Sequence, residues 1–242
     1  CYISKGHIIM KLIKLLIYVF LVNFFFIDSV FSADDLATPT KYEVTMKKVE
    51  LCTSSACTTT TVLAEKDGTF NIASASAGAD VGSWITGFAL EIGTTYTHIK
   101  ATLSSTFTIA GYTTNSDISS DNCLTEATPN TASAANQGPI VDGSSSTTGA
   151  DMAWIVPNSA NADNGNPYGA IDFSTYGITR ANDAATMTWV GALSNSYTPR
   201  ANSSPKITIK FDVTNQLKST QAGADTCYMW IEPPTVGVTL TD

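Results

Sequence analysis

Four cysteines carry the most explicit chemistry in the chain: Cys52, Cys57, Cys123 and Cys227, with a fifth at Cys1. An even set argues for disulfides where the compartment is oxidising, and four cysteines allow three pairings. Cys52 and Cys57 flank Thr53-Ser54-Ser55-Ala56. That spacing suits a bridge across the end of a β-hairpin, whose strands bring opposite Cβ atoms close. Cys123 with Cys227 would then pin a long loop to a late strand, closing a loop worth about 4–5 kcal/mol in the chain-entropy model. A zinc site needs two close pairs, and the sequence has one.

Other reactive groups are sparse. Beyond the first 32 residues the single histidine is His98, among Tyr96 and Lys100. This excludes multi-histidine metal sites. No serine sits in a Gly-x-Ser-x-Gly elbow, and His98 reads as a surface strand histidine. Glycoside hydrolysis needs two carboxylates in distinct roles. The glutamates are Glu43, Glu50, Glu65, Glu91, Glu126 and Glu232, with Glu43 and Glu91 on polar strand faces. None stands out as an acid paired with a nucleophile, so no catalytic residue and no enzyme activity are expected. Asp163-Asn164-Gly165-Asn166 is rich in oxygen ligands, so Asp163, Asn164 and Asn166 are weak calcium candidates. The full spacing of a calcium loop is missing, and Asn-Gly is a strong turn former. No cofactor is expected.

Exposed aromatics stack on sugars, so the four tryptophans are candidates for a ligand platform. Trp189 shares parity with Met187 and Leu193, and Trp230 neighbours Cys227, which points to the core for both. Trp84 follows Gly82-Ser83 in a loop-like context, and Trp154 follows a long loop. These two, with Tyr168 and Tyr176, form the candidate contact surface; packing of all four tryptophans is the alternative. Asn202-Ser203-Ser204 matches a glycosylation sequon.

The elements that would hold these groups are strands. Ile207, Ile209, Phe211 and Val213 alternate with polar residues; so do Ile99, Ala101 and Leu103, then Phe107 and Ile109, and Val236, Val238 and Leu240. Phe88, Leu90 and Ile92 repeat the theme. Strict alternation buries one face and wets the other, as in antiparallel sheets. Tyr42, Val44 and Met46 share one parity, whereas Val49 and Leu51 have the other. A β-bulge at Lys47-Lys48 would return both sets to the core; a switch between two sheets is the alternative. Threonine-rich strands keep a pleated surface polar. No stretch of twelve or more residues reads as an amphipathic helix. The fold class is therefore all-β, an antiparallel β-sandwich or jelly roll with long Ser/Thr/Asn-rich loops, stapled by disulfides.

Two segments, 112–150 and 157–184, break the strand spacing, and loops this long are usually functional or disordered; the first could also be a linker between two small domains. One sandwich domain over 33–242 is expected, with two small β domains divided within 112–150 as the alternative. At the other end, Lys11 and Lys14 precede an apolar run, and Ser32 precedes Ala33-Asp34-Asp35. Residues 10–32 thus read as a secretory signal peptide cleaved after Ser32. Asn23 and Asp28 interrupt the run and disfavour an uncleaved membrane anchor. Residues 1–9 hold no methionine before Met10 and read as upstream translation. Setting aside residues 1–32 removes three lysines and one aspartate from 13 basic and 21 acidic residues, leaving a formal charge of −10. So acidic a chain repels phosphate backbones, which makes nucleic acid a poor partner.

These observations lead to an exported, non-catalytic structural or adhesive surface protein, secreted or on the cell surface, or periplasmic in a bacterial host. It would act by self-association, as a filament or pilus-like subunit, or by contact with a surface glycan or protein. Thr235–Asp242 alternates well enough to donate a strand or to close its own sheet, whereas Ala33–Thr40 with Pro39 is a poor donor. A secreted carbohydrate- or ligand-binding sandwich is the alternative, and a secreted hydrolase a remote one. After signal cleavage no membrane association is expected.

Overall fold

Twelve residues that change parity in the middle make the central strand. The computed structural model describes residues 35–128, 139–157, 173 and 175–242. The leader at 10–32 and the segment 1–9 lie outside the described residues, as do Tyr168, Asp163, Asn164 and Asn166.

The first two strands are β1 (Asp35–Ala37) and β2 (Lys41–Cys52). In β2, Tyr42, Val44, Met46, Val49 and Leu51 are all buried. The parity change is absorbed by a register shift between Met46 and Lys48, against both neighbouring strands. The bulge expected at Lys47-Lys48 is present. One extra residue keeps both apolar sets on the core side.

β3 (Thr60–Asn71) pairs with one edge of β2. The other edge is shared: β4 (Tyr96–Ser104) takes Met46–Cys52, and β5 (Thr106–Ala110) takes Lys41–Glu43. Only Ser105 separates those two strands. Its N–H leaves the ladder and donates to the Ala185 carbonyl at 2.9 Å. After the short pair β6 (Tyr112–Thr114) and β7 (Asn122–Leu124) come β8 (Ile140–Asp142) and β9 (Met152–Ile155). β9 extends the sheet beside β5. β10 (Ile178–Thr179) and β11 (Thr186–Tyr197) extend it beyond β4. The result is a seven-stranded antiparallel sheet.

The facing layer is assembled from the end of the chain. β12 (Lys206–Asp212) pairs in register with β15 (Thr235–Thr241). β13 (Leu217–Gly223) and β14 (Thr226–Ile231) join β1 and β8 in a four-stranded sheet. Val44, Ile99 and Met187 from the first layer meet Ile209, Ile231 and Val238 from the second in one apolar core. Alternating strands with one apolar face have closed on each other, which makes an all-β sandwich.

Both expected disulfides are formed: Cys52–Cys57 and Cys123–Cys227. The thiols are therefore not zinc ligands. Cys52 ends β2, but Cys57 lies in the turn before β3, so the first bridge ties a strand end to its own turn. The second ties β7 to β14.

Three expectations are corrected. Phe88, Leu90 and Ile92 do not form a strand; Ile92 is 65 % exposed. Their alternation meets no partner strand. The backbone there bonds outside any ladder, with Thr94 N–H on the nearby Glu91 carbonyl and Gly93 N–H on the distant Pro199 carbonyl. Glu91 is accordingly on a loop. Trp84 is not in a loop but ends a short helix, α1 (Ala77–Trp84), which packs against β12. Two turns are too brief to leave a clear periodic signature. Finally, the segment 112–150 is not a plain loop, since it holds β6, β7 and β8.

Candidate functional site

The sandwich has a different character at the place where β10, β11 and the β14–β15 connection meet. An open groove of about 780 Å3 lies there, lined by Tyr176, Trp189, His98, Gln216, Glu232 and Pro233 among others. This falls in the size range of small-molecule sites.

Each side chain is delivered by a local structural reason. Tyr176 sits in the turn before β10, closed by its own N–H and that of Ile178 on the Phe173 carbonyl, at 3.2 and 2.8 Å. The next residue, Gly177, has φ +69° and lies against the Val190 carbonyl, where a Cβ would collide. Only glycine fits both conditions. The turn therefore holds Tyr176 outward, 42 % exposed. Trp189 lies on β11, opposite Ala101 of β4 and Ile178 of β10. Its indole covers Gly191, the next residue on the same strand face, where a Cβ would meet the ring. This leaves Trp189 half-buried, packed on the core and still reaching the groove.

His98 is on β4, as expected of a strand histidine, half-buried, with its Nδ1 2.8 Å from Thr97 Oγ1. It pairs in register with Cys52. The Cys52–Cys57 bridge beside it gathers the turn that brings Ser55 to the same groove. Glu232 leaves β14 just before Pro233-Pro234, and its carboxylate accepts from Lys218 Nζ at 2.6 Å. Its carbonyl accepts from the Tyr42 hydroxyl at 3.3 Å. Burial pushes the Tyr42 phenol far above its ordinary value of 10.0, so it remains a neutral donor.

Beneath the groove lies a cavity of about 90 Å3 inside the core, with an almost wholly apolar lining. Trp189, Pro233, Pro234 and Val236 line both spaces. These four side chains are the partition between a polar groove and an apolar chamber.

Of the contact-surface candidates among the described residues, Trp84, Trp154 and Tyr176, the structure brings only Tyr176 to this groove. Trp154 is buried on β9 and stacks on Phe107 at 6.1 Å, facing the cavity instead of solvent. Its strand pairs with β5, so its parity decides its side. Trp84 is half-buried at the end of α1, edge-to-face with Phe70 at 5.8 Å and 5.7 Å from Lys66 Nζ. It belongs to the β3 flank and not to the groove. Trp230 is fully buried, as expected. Trp189, Gln216 and the two prolines were not singled out as ligand contacts. The signal was faint: a glycine two residues after Trp189 and another directly after Tyr176.

Several carboxylates elsewhere, among them Glu43, Glu65, Asp67 and Asp151, form surface ion pairs with lysines. Glu50 is buried on the outer side of the large sheet, 3.4 Å from Lys48 Nζ and 3.7 Å from Lys100 Nζ, and accepts from Thr60 Oγ1 at 2.9 Å. Among the described residues, no group of three His, Cys, Asp or Glu side chains is placed to hold a metal ion. Nor is any helix among them long and apolar enough to cross a membrane. No family model, curated protein or solved structure matches the chain.

Proposed function

We propose that this protein is an exported, non-catalytic surface β-sandwich that adheres to a neutral, hydroxyl-rich ligand through the Tyr176–Trp189 groove. The observation that carries this reading is the convergence of two aromatic rings with His98, Gln216, Glu232 and Ser55 on one concave surface. Flat apolar faces flanked by amide, imidazole and carboxylate groups suit sugars, which offer C–H faces and hydroxyl edges. The acidic balance, 21 carboxylates against 13 basic residues, disfavours an anionic glycan. Secretion is supported by the leader and by the two disulfides, which persist in oxidising compartments. A binding role is preferred to catalysis because Glu232, the groove's carboxylate, is tied to Lys218.

Self-association is the second reading, and one observation favours it. β3 offers its outer edge, with Val62 42 % exposed; among the described residues β3 pairs with β2 alone. Exposed Glu65, Lys66 and Asp67 on that strand work against it, since charges blunt an edge. Strand donation by the C-terminus would have to displace β15 from its pairing with β12.

A glycan array probed with the exported protein and with Tyr176→Ala tests the first reading. Binding to neutral glycans that Tyr176→Ala weakens at least tenfold is expected. Filaments in negative stain, with no glycan bound, would overturn it in favour of the second.

A further inference from the structure

We propose that the ligand is amphiphilic: its hydroxylated head occupies the groove and its short apolar tail enters the cavity beneath, as in an alkyl or acyl glycoside. This rests on the groove reading above and adds the tail.

The argument begins with the shared wall. Trp189, Pro233, Pro234 and Val236 line both spaces, so one layer of side chains separates head site from chamber. Two of the four are prolines on the connection between β14 and β15, whose missing N–H groups leave that stretch outside any ladder. The chamber itself is unlike an ordinary packing gap. Native cores hold few voids larger than one water, and a water needs about 10–15 Å3 on this measure. The chamber measures about 90 Å3. Aliphatic and aromatic carbons line it, including Met46, Leu103, Met187 and Phe211. A space so lined stays dry and takes apolar guests. By proportion to a chamber of about 150 Å3 that holds benzene, it accepts on the order of four carbons.

The polar boundary lies between the chamber and the groove. The Tyr42 ring lines the chamber, and its hydroxyl is held by the carbonyl of Glu232, a groove residue. The chamber's phenol is thus directed toward the groove, which leaves hydrocarbon to face the tail. A lone apolar guest would leave the polar groups of the groove unused, and a lone sugar would leave the chamber empty.

The test is calorimetric titration of the exported full chain with methyl, butyl, hexyl and octyl glucosides, below their micelle-forming concentrations, beside 1-butanol. Each methylene that enters the chamber should tighten binding about fourfold. Affinity should therefore rise about 60-fold from methyl to butyl, then level off once the chamber is full. Ala101→Leu, which fills the chamber from β4, should flatten the series, so that the butyl-to-methyl affinity ratio falls from about 60 toward one. A second filling variant, Val49→Leu, guards against a folding failure of the first. A flat series in the wild type, with methyl glucoside bound, overturns the tail and leaves the groove reading standing. Saturable 1-butanol binding without any glucoside binding keeps the chamber but overturns the amphiphile and the groove reading together. No binding of any probe leaves the chamber a packing void and refutes both.

Discussion

The two disulfides mark regions built to opposite specifications. Cys123–Cys227 joins positions 104 apart, and the side chains around it are sealed: Cys123, Val141, Cys227, Met229 and Trp230 are at 0 % exposure. Cys52–Cys57 joins positions five apart and trims a turn at the rim of the groove. Around Cys123–Cys227 the layers are closed to solvent. On the side of Cys52–Cys57 the chain keeps a half-buried tryptophan, an exposed tyrosine and an apolar chamber. Stability is stored at the sealed end and given up at the chamber. Unfilled core volume is destabilising at about 24 cal/mol per Å3, so the chamber of about 90 Å3 costs about 2 kcal/mol. The sealed end offsets that.

The contrast can be broken most forcefully at the sealed end. Replacing Cys123 and Cys227 together with serine should lower unfolding free energy by about 4–5 kcal/mol, since the bridge closes a loop of roughly a hundred residues. Urea denaturation without reductant measures it. Trp230→Ala should cost about 3–5 kcal/mol by the same assay, a full cavity in a place that cannot collapse. The double alanine variant of Cys52 and Cys57 should cost only about 2 kcal/mol, because its loop is short. It should also weaken ligand binding, because Ser55 loses its tether.

Smaller substitutions sharpen the contrast further. Val141→Leu overpacks the sealed end and should cost about 1–3 kcal/mol, whereas Ala101→Leu enters open volume and should cost less than about 1 kcal/mol. Equal penalties would mean that the two regions are packed alike. Tyr42→Phe should cost about 1 kcal/mol at neutral pH through its lost bond to the Glu232 carbonyl. Its pH effect has a definite sign. Burial raises the folded Tyr42 pKa above the ordinary 10.0. The phenol's contribution is therefore complete below that pH. It is lost as pH rises above 10, where the unfolded chain ionises first, at up to about 1.4 kcal/mol per pH unit. The gap between wild type and Tyr42→Phe should narrow in that range. A gap unchanged up to pH 11 would contradict the buried phenol.

The strand framework and the two bridges were more legible in the sequence than the groove, or than the short strands at 112–150 that build the sealed end. Alternation at Ile207–Val213 and Ile99–Leu103 survives as β12 and β4, and the parity slip at Lys47-Lys48 survives as a bulge. Cysteine spacing yielded both bridges, because an even set with one close pair leaves few pairings. These signals are local or countable. The groove depends on long-range placement: Tyr176, Trp189, Gln216 and Glu232 come from four separate stretches of chain. Trp154 shows the limit most clearly. Its position after a long loop suggested exposure, yet pairing with β5 turns it into the core. Parity in a four-residue strand is fixed only by its partner. The same holds for Phe88–Ile92, whose alternation lacks a neighbouring strand to use it.

The most direct test is a map of amide chemical-shift changes in the isotope-labelled protein on titration with butyl glucoside. Shifts gathered at Tyr176, Gly191, Gln216, Glu232 and Val236, and extending into the chamber at Ala101 and Met187, are the predicted result. Shifts confined to β3, or line broadening from self-association with no change at the groove, would contradict the account.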